Sequence, residues 1–177
     1  THNSTPPSEV VVISPSTQST TYDTHSSTPP SAVVVTPAAV GDGVIDTNII
    51  STAADGAYFV STADIDGDGD IDVLSASYLD DTVAWYENNG SGAFTEHIIS
   101  TAVYATYSVT TADVDGDGDM DVLSTSWNDD KIAWYENDGS ESFTEHTITT
   151  AANGATSVTT ADVDGDGDMD VLSASAN

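Results

Sequence analysis

Three stretches of this chain place aspartate at every second position around a pair of glycines. They are Asp64-Ile65-Asp66-Gly67-Asp68-Gly69-Asp70-Ile71-Asp72, then residues 113–121, then residues 162–170. In a tightly turned backbone this alternation points the carboxylates at one centre, and a centre built only from flexible anionic oxygens suits Ca²⁺. Gly67 and Gly69 permit the positive φ that such a turn demands. The candidate ligands of the first site are Asp64, Asp66, Asp68 and Asp72, with Asp70 offering its backbone carbonyl. The second set is Asp113, Asp115, Asp117, Asp119 and Asp121, and the third is Asp162, Asp164, Asp166, Asp168 and Asp170. Three Ca²⁺ sites are therefore expected.

An EF-hand shares the opening of this loop but needs a bidentate Glu at its twelfth position and helices on both sides. Here the twelfth residue is Ser75, Ser124 or Ser173, and the apolar Val73-Leu74 and its counterparts mark a strand leaving the loop. The bland alternative is a solvated acidic turn without metal. Five carboxylates crowded into one loop would repel one another strongly without a cation, which disfavours it.

Composition agrees with cation binding. Thirty acidic residues face a single base, Lys131, for a formal charge of −29, so nucleic acid and anionic membranes are poor partners. With no cysteine, disulfides cannot staple a loop-rich fold, and bound metal is the remaining means of pinning charged turns. No apolar run reaches the roughly 18 residues of a membrane span. The chain opens at Thr1 with neither an initiator Met nor a basic-then-apolar leader, the mark of a processed chain or an excerpt from a longer one.

The elements that must position the loops repeat with them. Ala63 to Ser75 returns 49 residues later as Ala112 to Ser124 and again as Ala161 to Ser173. Trp85-Tyr86-Glu87-Asn88 returns as Trp134-Tyr135-Glu136-Asn137, and Tyr78 as Trp127, in the same phase. A period of this size signals a solenoid, propeller or array. Each unit reads as four short strands, residues 104–111, 121–126, 131–136 and 143–149 in the second unit, separated by turns such as Asn128-Asp129-Asp130. The expected fold is all-β, a propeller-type array of four-stranded blades, about 2.5 units long.

Residues 1–41 form a different region, expected as an extended arm ahead of a β-repeat domain at 42–177. Ser4-Thr5-Pro6-Pro7-Ser8 with Val10-Val11-Val12 recurs 23 residues on as Ser27-Thr28-Pro29-Pro30-Ser31 with Val33-Val34-Val35. Proline pairs favour extended chain, and the valine-rich runs are spare strands that need a sheet to join. Ser/Thr/Pro composition is that of glycosylated stalks, and Asn3-Ser4-Thr5 and Asn89-Gly90-Ser91 match the short N-glycosylation sequon.

From residue 48 to 177 the sequence resembles the bacterial FG-GAP or VCBS repeats, related to the calcium-binding blades of the integrin α-subunit propeller. The carrying motif is Asp-x-Asp-Gly-Asp-Gly-x-x-Asp followed by Val-Leu-Ser and Trp-Tyr-Glu-Asn. The resemblance implies Ca²⁺ at loop positions one, three, five, seven and nine, holding each blade together. It also implies an extracellular or cell-surface adhesion setting.

Three functions compete in this order: a structural subunit, a ligand-binding adhesion module, and an enzyme. The first follows from strand counting, since the third unit stops after its second strand and an arm strand of a neighbouring copy could fill the edge, propagating a homo-oligomer or filament. The second would engage glycans or other surface ligands. Trp85, Tyr86, Trp127, Trp134 and Tyr135 could form a sugar platform, although aromatics at fixed blade positions more often pack between blades. His97 and His146 read as strand residues. No catalytic constellation stands apart from the clustered aspartates, so the chain is expected not to be an enzyme.

Overall fold

The computed structural model of the protein describes residues 9–11, 32–35 and 48–176. The Ser/Thr/Pro stretches and proline pairs of the arm lie outside the described residues. Within them the chain is all strand and turn: β1 (Glu9–Val11), β2 (Ala32–Val35), β3 (Asn48–Ser51), β4 (Ala57–Ala63), β5 (Asp72–Ser77), β6 (Thr82–Asn88), β7 (Phe94–Ser100), β8 (Thr106–Ala112), β9 (Asp121–Ser126), β10 (Lys131–Asn137), β11 (Phe143–Thr149), β12 (Ala155–Ala161) and β13 (Asp170–Ser175). The observed β8 to β11 depart from the sequence expectation by at most two residues at any end.

Strands β4 to β7 and β8 to β11 form two four-stranded antiparallel blades, each a simple meander, and β12 and β13 begin a third. The arm strands join the sheet of β3, with β2 antiparallel to β3 and β1 parallel to β2. The expected all-β, propeller-type blade array is therefore the observed fold, and its two-stranded third blade is that of a partial propeller.

Blades are held by what lies between them. Leu74, Ala76, Val83 and Trp85 of the first blade pack on Val109, Val122, Ala133 and Tyr135 of the second, all nearly inaccessible to solvent. Leu123 and Ile132 on the other face of the second blade meet Ala155 and Val158 of the third. A middle strand covered on both faces loses the polar alternation of a half-exposed strand. That is why every residue of β5 and β9 is buried. In β13, where the residues of β5 recur as Asp-Val-Leu-Ser-Ala-Ser, only Val171 is even half-buried.

Candidate metal centre

Each Asp-rich loop connects the first strand of a blade to its second. In the first loop one carboxylate oxygen from each of Asp64, Asp66 and Asp72 lies within 4.8 Å of the others, and Asp113, Asp115, Asp121 and Asp162, Asp164, Asp170 repeat the arrangement. Gly67 and Gly69 take φ of 75° and 94°, the left-handed backbone that brings these side chains round.

The three members of a triad are not alike. Asp64 accepts the Gly69 amide through Oδ2 at 3.1 Å, while its Oδ1 is buried with no hydrogen-bond partner. Asp66 accepts the Asp68 amide at 3.1 Å near the surface. Asp72 is fully buried at the root of the loop, where Oδ2 accepts the Ile65 amide at 2.9 Å and Oδ1 the Asn88 amide at 2.7 Å. Asp121 does the same with Val114 at 2.9 Å and Asn137 at 2.8 Å. Burial pushes both carboxyls above the ordinary aspartate value, and the donated amides only partly offset it. In the first two blades the ninth position thus ties its loop to the end of the blade's third strand as well as facing the centre.

The remaining candidates sit outside the triads. Asp68 and Asp117 accept the amides of Asp70 and Asp119 at 2.8 and 2.9 Å, and Asp166 that of Asp168 at 3.0 Å. The Asp70 and Asp119 carboxylates lie against Gly90 and Gly139, where a Cβ would collide with them. Three convergent carboxylates with an orphaned oxygen at Asp64 fit a hard divalent cation, whose charge would offset their mutual repulsion. Asp64, Asp66 and Asp72 and their counterparts would hold it.

Neighbouring loops are tied together. The Asn137 side chain, 1% exposed, donates from Nδ2 to Ile65 O in the first loop at 3.1 Å and to Met120 O in the second at 3.2 Å. At the other end of the blades the turn residues Asp81 and Asp130, both with positive φ, accept the amides of Ala105 and Gly154 in the next blade at 2.8 and 2.9 Å. Lys131, the chain's single base, is buried between Ala102 O at 2.7 Å and Glu145 at 2.8 Å. The sequence marks Asn88 and Asn137 only as the ends of a recurring motif and Asp130 only as a turn residue, with Asp81 its counterpart one period earlier.

The aromatics divide by depth. Trp85, Tyr86 and Tyr135 are buried packing residues. His97 stacks on Trp85 and His146 on Trp134 at 4.5 Å, and each bonds a glutamate, Glu87 at 2.9 Å and Glu136 at 2.6 Å, a fuller structural role than a plain strand position. At the end of the blades away from the Asp loops, Tyr107 is surrounded by Tyr58, Tyr78 and Trp127 at 4.5, 5.4 and 5.1 Å between ring centres. Of this row only Trp127 stands among the sequence candidates. Yet Tyr58 and Tyr107 recur with the 49-residue period and could have been found that way.

No curated protein matches the chain significantly. Among solved structures it is similar to a lectin from Agrocybe aegerita, described for specific recognition of non-reducing terminal N-acetylglucosamine. The TM-score is 0.56 and the identity 19%, over 81% of this chain and 42% of the lectin, so the chain spans less than half of that protein's length. At that identity the likeness is one of fold. The model of the FG-GAP-like repeat matches twice, over residues 64–124 and 115–173, the first match containing two complete Asp loops and the second the third loop with most of the second. Together the two matches span well over half of the chain, which belongs to the FG-GAP-like repeat family.

Proposed function

We propose that this propeller-like module is a calcium-stabilised structural subunit of an extracellular surface, and that it self-associates into a filament by adding its N-terminal arm strands to a neighbouring copy. The observation that carries the reading is the third blade. Among the described residues β13 pairs only with β12, and its other edge presents unpaired backbone groups. Calcium is the proposed ion for the three triads because their donors are all carboxylate oxygens, and millimolar external Ca²⁺ would fill sites with dissociation constants of about 10⁻⁴ to 10⁻³ M. No helix among the described residues is long and apolar enough to cross a membrane. We read the chain as a non-enzyme, since its clustered carboxylates are engaged with loop amides. Light scattering and electron microscopy of the full chain, with and without millimolar Ca²⁺, test the reading. A monomer under both conditions would overturn it.

A second reading, an adhesion module that binds a saccharide, is favoured by the row of Tyr58, Tyr78, Tyr107 and Trp127, because sugar rings stack on aromatic faces. Its test is a panel of immobilised glycans probed with the chain and with Tyr107→Ala. Retention that the substitution abolishes would support it, and no retention on any glycan would remove it.

A further inference from the structure

The arm strand β2 meets β3 in a register that recurs elsewhere in the molecule. Val33 faces Ser51, the register then slips, and Val34 faces Ile49 and Val35 faces Asn48. In the first blade Val83 faces Ser100, the register slips at the same place, and Ala84 faces Ile98 and Trp85 faces His97. The second blade repeats this with Ile132 and Thr149, Ala133 and Thr147, Trp134 and His146. Asn48, Ile49 and Ser51 are the counterparts of His97, Ile98 and Ser100, 49 residues earlier. So β3 is a blade's fourth strand, and β2 lies on it as a third strand lies, irregularity included. The sequence agrees, since Gly41-x-Gly43 precedes Gly90-x-Gly92 by the same period.

The described chain therefore holds the first two strands of a blade at one end, β12 and β13, and a third and fourth strand at the other, β2 and β3. Burial at the two ends of the described residues differs from burial between the blades. Leu172 of β13 is 38% exposed, whereas its counterparts Leu74 and Leu123 are sealed by the following blade. At the opposite end Val60 in the first blade is only half-buried, whereas Val109 and Val158, which face a preceding blade, are buried.

We propose that β13 of one copy pairs with β2 of the next, so that β12, β13, β2 and β3 build one complete four-stranded blade across two chains. This rests on the reading that the chain self-associates and names the surfaces. The register follows from β5 on β6 and β9 on β10: Leu172 opposite Val35, Ser173 opposite Val34 and Ala174 opposite Val33. The flank of β2 that β13 needs is held within the chain by β1, parallel and only three residues long. Parallel pairing is somewhat weaker per residue than antiparallel, so exchange of β1 for the longer antiparallel β13 is downhill for the backbone. The two surfaces differ, hence the contact is head-to-tail and runs on from copy to copy.

The chain has no native cysteine, which makes cross-linking clean. Full-length Ser173→Cys is mixed with full-length Val34→Cys, and Leu172→Cys with Val35→Cys, under mild oxidation in millimolar Ca²⁺. Of two adjacent pairs one is the closer, non-hydrogen-bonded kind, so a fold-disturbing substitution in one set leaves the other informative. We expect a covalent heterodimer from these mixtures, at least about tenfold more than from Ser173→Cys mixed with Val10→Cys, because a disulfide tolerates little error in Cα separation. Large assemblies that cross-link only through Val10→Cys, or only as Ser173→Cys homodimers, would overturn the composite blade while leaving self-association standing. A native chain that stays monomeric at every concentration would overturn both.

Discussion

The side-chain amide of Asn137 donates to the backbone carbonyl of Ile65, 72 residues away, so the end of one blade's third strand is bonded into the Asp loop of the blade before it. The same nitrogen reaches Met120 O in its own blade, whereas among the described residues Asn88 Nδ2 bonds only Ile71 O, near the surface. Asn137→Ala leaves the buried Ile65 carbonyl and the part-buried Met120 carbonyl without this donor and should destabilise the chain by about 1–3 kcal/mol, while Asn88→Ala should cost about 1 kcal/mol or less. Urea unfolding of both variants in millimolar Ca²⁺ measures the difference, and equal losses would contradict the bridging role.

Loop position three and loop position nine should separate under chelation. Asp72 uses both oxygens as buried acceptors, and in Asp72→Asn one becomes a donor facing an amide N–H. That change should cost about 2–3 kcal/mol even in EDTA. Asp66→Asn keeps an acceptor for the Asp68 amide and should leave EDTA stability within about 0.5 kcal/mol, lowering only the calcium-dependent part. Thermal melts with and without Ca²⁺ give both numbers.

The pH response should reverse sign with metal. Burial holds the Asp72 and Asp121 carboxyls above their unfolded value in the metal-free chain, so the folded state binds their protons more tightly. Their ionisation then costs stability as pH rises from the ordinary carboxylate range through the raised folded value. In EDTA the melting temperature should therefore rise as the pH falls from neutral through the raised folded value toward the ordinary carboxylate range. In millimolar Ca²⁺ it should fall over the same interval, because protons compete with the cation. Parallel trends in the two buffers would refute cation binding at these triads.

Ala105 has φ 60° at the position where the other units have Gly56 and Gly154. A left-handed alanine costs about 1–2 kcal/mol, partly offset in a glycine variant by the freer unfolded chain. Ala105→Gly should stabilise by up to about 1 kcal/mol, and Gly154→Ala should destabilise by about 1 kcal/mol. Calorimetry of the pair decides, and a less stable Ala105→Gly would show that its Cβ packing outweighs the strain.

The sequence carried the strands and the loops because both are local. The 49-residue recurrence set β9 and β11 at their observed ends, and the aspartates at the first, third and ninth positions of each loop are the ones that converge. The double role of Asp72 was not legible, since its partner Asn88 comes from a different strand 16 residues on. Burial was not legible either, because nearly identical stretches, Asp-Val-Leu-Ser, are sealed in β5 and β9 and largely exposed in β13. What decides is the neighbouring blade, which no local pattern records. Likewise the valine-rich runs announced strands, but only the pairing of Val33 with Ser51 reveals which blade position β2 occupies.

The latches from Asp81 to Ala105 and from Asp130 to Gly154 span the same 24 residues, and each joins one unit only to its successor. Heredity can therefore edit this molecule in whole units. Unequal recombination that copies the segment for residues 64–112 regenerates every latch at the new junction, whereas a shift of a few residues breaks the one it lands on. A chain carrying that tandem copy should melt no lower than its parent in millimolar Ca²⁺, since in a linear array each added unit contributes its own stability and one more interface.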